Sequence, residues 1–179
     1  TGTGGQTLVP LITNGTADSE TEAADINYFL GIRGSDNVLC ADFEEAQSGT
    51  TPGLNHPVCG TTPLATGAWY HVAATYNGTL WRLYLNGNLE AELSVGLPAN
   101  ANNTSQLAFG TSMKTDNTAL GFFDGVLDEV RIWNYPRTQA QIVGTINQKL
   151  DTPQSGLIGR WGLDEATGSV IHDTSGSNI

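Results

Sequence analysis

Alternating apolar and polar positions dominate this chain and predict many short strands. Residues 7–12 (Thr-Leu-Val-Pro-Leu-Ile) read as the first, and Pro10 marks it as an edge or a strand end. Residues 27–33 and 37–43 read as two strands of a hairpin around Gly34-Ser35-Asp36. Between them and the first strand, residues 14–25 hold Asp18, Glu20, Glu22 and Asp25, an acidic solvated loop with a cation site as the minority reading. Residues 46–67, rich in Gly, Thr and Pro, have no period and predict a long loop. The clearest stretch follows. Residues 69–76, 80–85 and 89–95 alternate as strands, separated by Asn77-Gly78 and Asn86-Gly87, the dipeptides of two-residue hairpin turns.

Further on, residues 106–111 predict a strand, with loops at 96–105 and 112–120. In residues 121–134, Val126, Asp128, Val130 and Ile132 share one parity, which places Asp128 on the core face, where a carboxylate needs a partner. Glu129 and Arg131 fall on the opposite face and can pair across strands. Thr138-Gln-Ala-Gln141 is a capping box, so residues 138–149 predict the helix of the chain. A linker at 151–156, a strand at 157–163 and a turn-rich tail complete it. About nine strands and one short helix describe an all-β, antiparallel protein, a sandwich or jelly roll.

Composition narrows the function. In 179 residues there are 7 basic and 18 acidic side chains, a formal charge of −11, which argues against a nucleic-acid or anionic-membrane surface. No apolar run is long enough to span a bilayer, so membrane insertion is not expected. Cys40 and Cys59 read as a disulfide in this low-lysine chain, worth about 3 kcal/mol, with two buried thiols as the alternative. Asn14, Asn77, Asn102 and Asn103 each open a glycosylation sequon. The chain starts without Met or a signal segment, which reads as a processed chain or a piece of a longer one.

Specific residues then carry a resemblance. Trp69, His71-Val72-Ala73, Thr75-Tyr76-Asn77-Gly78 and Leu83-Tyr84-Leu85-Asn86-Gly87 resemble the central signature of laminin-G-like, concanavalin-A-like jelly rolls of the pentraxin-like superfamily. Phe123-Asp-Gly125 and Leu127-Asp-Glu-Val-Arg-Ile-Trp-Asn134 resemble the closing strand, and Arg137-Thr138 with Ile142 the short helix after it. The likeness covers roughly residues 7–143, and it speaks for the fold, not for an activity. One departure stands out: a pattern that usually opens the family lies at the end, in Leu157–Trp161, Leu163-Asp-Glu165, Gly168 and Asp173-Thr-Ser-Gly176. The expected organisation is therefore a β-sandwich over 1–150, lacking its first strands, and then 151–179. That tail is a linker plus the opening strand of a following repeat, or a returning strand that completes the sandwich. A neighbouring molecule could also supply the missing strands.

The resemblance implies a structural calcium held by Asp128 and Asp173, with the hydrogen-bonded turn as the alternative for Asp128. It also implies carbohydrate binding through exposed aromatics. Trp69, Trp81 and Trp161 have core-like neighbours, which leaves Trp133 and Tyr135 as the expected ligand-binding residues. Neither Glu20-Thr-Glu22 nor Asp128-Glu129 has the alternation of a paired-carboxylate glycosidase, and no His lies beside a nucleophile motif, so no catalytic residue is assigned. The expectation is a non-catalytic extracellular adhesion or binding module of a multi-repeat surface protein, with a glycan or protein ligand. Its alternatives are a fibre or coat subunit self-associating through shared strands at its sheet edges, and an ancillary domain of a secreted hydrolase.

Overall fold

The computed structural model describes residues 7–17, 25–101, 106–150 and 153–177. They form two compact units, Thr1–Asp124 and Gly125–Ile179, so the expected boundary after residue 150 falls inside the second.

The first unit is antiparallel throughout its named strands. One sheet has the order β4-β3-β2-β1-β8, built from Val58–Pro63, Val38–Asp42, Ile26–Arg33, Leu8–Gly15 and Leu107–Phe109. A second sheet orders β5 (Val72–Tyr76), β6 (Leu80–Leu85) and β7 (Asn88–Ser94) as the expected meander. Strand β4 packs against β6 and β7, so the two sheets meet face to face. Between them Phe43, buried at 2% exposure, lies 4.7 Å from the ring of Tyr76 and 5.4 Å, edge-on, from Trp81. Leu39, Leu83 and Ala41 are sealed from water around it. Burying such apolar surface is the main force holding the sheets together.

The two Asn-Gly turns differ. Asn86 and Gly87 both take positive φ, 49° and 78°, as a tight hairpin turn of the primed type requires. At the other turn only Gly78 does, while Asn77 Oδ1 accepts from the backbone N–H groups of Thr79 and Leu80.

Several expectations are corrected. Residues 46–67 are not all loop: Val58–Pro63 pairs with β3, and Cys40 faces Cys59 across that ladder in a disulfide. Polar, glycine-bearing composition hides this strand, since its exposed half needs no apolar residues. Strand β1 is not an edge, because β8 pairs with Ile12, Thr13 and Asn14. Pro10 is tolerated because it lies beyond that pairing, opposite Gly31 of β2. Residues 112–120 contain parts of two further strands, β9 (Thr111–Met113) and β10 (Ala119–Phe122), set off from β8 by Gly110 at φ 68°.

In the second unit, β11 (Val130–Trp133) pairs antiparallel with β12 (Leu157–Trp161) of the same chain. The expected alternation is not seen: Val130 is buried, while Arg131, Ile132 and Trp133 are all half-buried. Glu129 takes φ 52°, which breaks the extended backbone, so Val126 is 70% exposed and Asp128 is exposed too, not on a core face. Helix α1, Gln139–Thr145, is shorter than expected but carries the expected capping box: Thr138 accepts from the Gln141 N–H, and Gln141 accepts from the Thr138 N–H. Ile142 is its buried residue.

Candidate functional site

Three groupings of polar and aromatic side chains stand apart from ordinary packing. The first surrounds the loop from β3 to β4. Asp42, Glu44 and Glu45 are 4%, 2% and 0% exposed, although carboxylates are seldom buried. Each fastens backbone. Asp42 accepts from the N–H of His56, Glu44 from those of Asp25 and Ile26, and Glu45 Oε1 from the N–H of Thr51 and the hydroxyl of Thr50. Burial pushes the Glu44 pKa up to about 7. Burial also lowers that of His56, against the opposing pull of the Glu45 charge. The ring of His56 stacks, tilted, 5.0 Å from Phe43. These residues read as a loop built around its acids.

The second is Trp69. Contrary to the packing expected of it, its side chain is 68% exposed, while Trp81 and Trp161 are buried at 5% and 8%. It precedes β5 in a segment that is braced on both sides. Tyr70 Oη accepts from the N–H of Ala65 at 3.0 Å, and the N–H of His71 donates to Asn86 Oδ1 at 2.9 Å. The strand pairing that would have carried Trp69 inward begins only at Val72, which is why its core-like neighbours mislead.

The third lies at the end of β11. Trp133 and Tyr135 are half-buried and meet edge-to-face at 5.8 Å, so the structure brings these two expected residues together. The guanidinium of Arg137 covers the Trp133 ring at 4.1 Å from its centre, a cation–π contact that nothing in the sequence announced. Nearby, Glu129 bridges Arg131 and Arg160. Burial pushes its carboxyl up, but the bonds from the two guanidinium groups outweigh this and hold it below the usual range.

Asp128 and Asp173 behave differently from each other. Asp128 is exposed. Asp173 Oδ1 accepts from the N–H of Arg160 and of Ser175, and Oδ2 accepts from the Ser175 hydroxyl. These donors give Asp173 a turn-fixing role, and its oxygens do not by themselves make a calcium cage. Among the described residues no group of three or more His, Cys, Asp or Glu side chains is placed to hold a metal ion. Of the sequons, Asn77 sits in an exposed turn. Asn14 lies in β1 between two partner strands and accepts from Asn27 Nδ2. Asn102 and Asn103 lie outside the described residues, as do Asp18, Glu20 and Glu22.

Comparison with solved structures finds a protein from Bacteroides ovatus ATCC 8483, provisionally described as a carbohydrate binding protein, at 23% identity and a TM-score of 0.63. The match covers 95% of this chain and 46% of that one, so this chain spans about half of that protein's length. A second structure, of an S-layer domain-containing protein (residues 221–444) from Clostridium thermocellum ATCC 27405, matches 71% of this chain and 58% of its own at 22% identity and a TM-score of 0.39. None of the curated proteins matches this chain. At these identities the first likeness speaks for the fold. The sequence profile of one family matches residues 4–143, more than half of the chain and the stretch that holds the meander, β11 and the start of α1. This chain belongs to the concanavalin A-like lectin/glucanases superfamily.

Proposed function

We propose that this chain is a non-catalytic, glycan-binding module that works outside the cell. The observation that carries the reading is Trp69, a large aromatic that is 68% exposed on a segment braced by Tyr70 and His71. Sugar rings present an apolar C–H face that stacks on such a platform, and an aromatic fixed beforehand loses little freedom on binding. Membership of a lectin-bearing superfamily and the fold shared with a provisionally carbohydrate-binding protein point the same way. The Cys40–Cys59 disulfide suits an oxidising, extracellular setting. The coat-subunit alternative needs residues 157–163 free to pair with a neighbour. Leu157–Trp161 instead pairs with β11 of its own chain, which favours the binding module. A glycan array followed by calorimetry tests the reading. Binding of at least one neutral glycan, lost in Trp69→Ala with the melting temperature unchanged, is the expected result. An array without a single hit removes the proposal.

A further inference from the structure

We propose that Arg137 anchors the carboxylate of an acidic saccharide, a uronic acid, beside Trp133 and Tyr135. The sugar part of this ligand rests on the glycan-binding reading above; the charged part rests on how the basic residues are used.

The chain has seven basic residues. Six of them pair with carboxylates: Arg33 with Asp36, Arg82 with Glu92, Lys114 with Asp116, Arg131 and Arg160 with Glu129, and Lys149 with Asp164. Arg137 has no carboxylate partner among the described residues, in a chain where acids outnumber bases 18 to 7. The edge it leaves unused is informative. Arg33 presents Nε and Nη2 together to the two oxygens of Asp36, at 2.9 and 2.7 Å. Arg131 presents the same edge to Glu129, at 3.1 and 2.8 Å, and Arg160 does likewise. In Arg137 only Nη1 is engaged, donating to Thr145 Oγ at 2.7 Å. Its Nε is withdrawn from water with no acceptor among the described residues. A group the size of water does not reach that Nε, so the donor open to a ligand is Nη2, which no acceptor among the described residues engages and which a carboxylate satisfies with a charge-assisted bond.

The guanidinium is already immobilised. Trp133 lies under it, and Thr145, at the end of α1, fixes Nη1, so a ligand need not order it. At Nη2 the hydroxyl of a neutral sugar makes an ordinary hydrogen bond, whereas a carboxylate makes a charge-assisted one, roughly twice as strong. The half-buried Tyr135 stands next to Trp133, where a pyranose carrying that carboxylate meets an aromatic edge. Charge does not oppose this placement as the total of −11 suggests. Residues 125–179 hold four of the seven basic side chains and six of the eighteen acidic ones, so most of the excess acid lies in the first unit.

The test is calorimetry on the full chain with tetragalacturonate and with its methyl ester, which keeps ring and length but not the charge. The acid is expected to bind about tenfold or more tightly than the ester, and less so at high salt. Arg137→Met, which keeps an apolar stem over Trp133, is expected to remove that difference. Arg137→Lys, which keeps charge without the fork, recovers only part of it and covers the case in which the methionine variant does not fold. Equal binding of acid and ester by the native chain overturns the inference, as does a difference that survives in Arg137→Met. A chain that binds neutral glycans through Trp69 and ignores the acid overturns this inference alone. A chain that binds no saccharide overturns both.

Discussion

His56 Nε2 lies 3.9 Å from Oε2 of the fully buried Glu45, and neither atom has a hydrogen-bond partner among the described residues. The separation is too long for a direct bond. Burial keeps the imidazole from charging as readily as it would in the unfolded chain, where its pKa is 6.5.

This produces a pH dependence of definite sign. Below pH about 6.5 the unfolded chain binds the His56 proton more readily than the folded one does, so stability is lost as the pH falls. Glu44 acts in the opposite direction. Its folded pKa is raised from 4.5 to about 7, so its contribution is fully present below 4.5 and is lost as the pH rises through 7. Thermal unfolding followed by circular dichroism between about pH 5 and 8 separates the two. Glu44→Gln should leave a melting temperature that falls with acid, and His56→Gln one that rises. Identical profiles in both variants would refute these assignments.

Glu129 should matter more than its half-exposed position suggests. Arg160 is 3% exposed, and its Nε and Nη2 both donate to the Glu129 carboxylate. Glu129→Ala removes the carboxylate bonded to both Nε and Nη2 of that guanidinium, at a cost of about 3–5 kcal/mol to the second unit. Urea unfolding read by the fluorescence of Trp133 and Trp161, in a background with Trp69 and Trp81 replaced by Phe, measures this. A loss below about 1 kcal/mol would place the pair among ordinary surface bridges.

Asp173 offers a way to separate a hydrogen-bonded turn from a metal ligand. If it works by accepting from Arg160, Ser175 and the Ser175 hydroxyl, Asp173→Ala should cost about 1–3 kcal/mol by leaving buried donors unmet. Chelation with EDTA should then leave the melting temperature of the native chain unchanged. A drop on chelation, restored by calcium, would show instead that a bound ion stabilises the fold by mass action.

Removing the disulfide as Cys40→Ala with Cys59→Ala should lower stability by about 3 kcal/mol, the loop-closure entropy returned to the unfolded chain. Differential scanning calorimetry checks this, and an unchanged midpoint would mean that the β3–β4 ladder alone holds the loop.

These residues also show where the sequence speaks and where it is silent. The meander is legible because its turns and its alternation agree, each local choice supporting the same register. The capping box at Thr138 is legible for the same reason: a cap is a local device. Strand β4 is not, since Gly60, Thr61 and Thr62 owe their conformation to β3 and to Glu90, whose carboxylate accepts from the Thr61 and Thr62 N–H groups. The parity argument fails at Asp128 because a single left-handed residue, Glu129, resets which face each side chain takes. Trp133 and Tyr135 are singled out by their positions and the fold brings their rings together, but the lack of a carboxylate partner at Arg137 has no local signature. It depends on which acids the fold brings near the other six cations.

The Cys40–Cys59 bridge joins the two strands that flank the loop built on Glu45. A protease that cuts anywhere between those strands leaves the two pieces covalently joined through the sulfurs, with their strands still side by side in one ladder. A nicked molecule therefore keeps its mass and its sheet until a reductant reaches the sulfurs, and only a reducing gel reveals that the chain was ever cut.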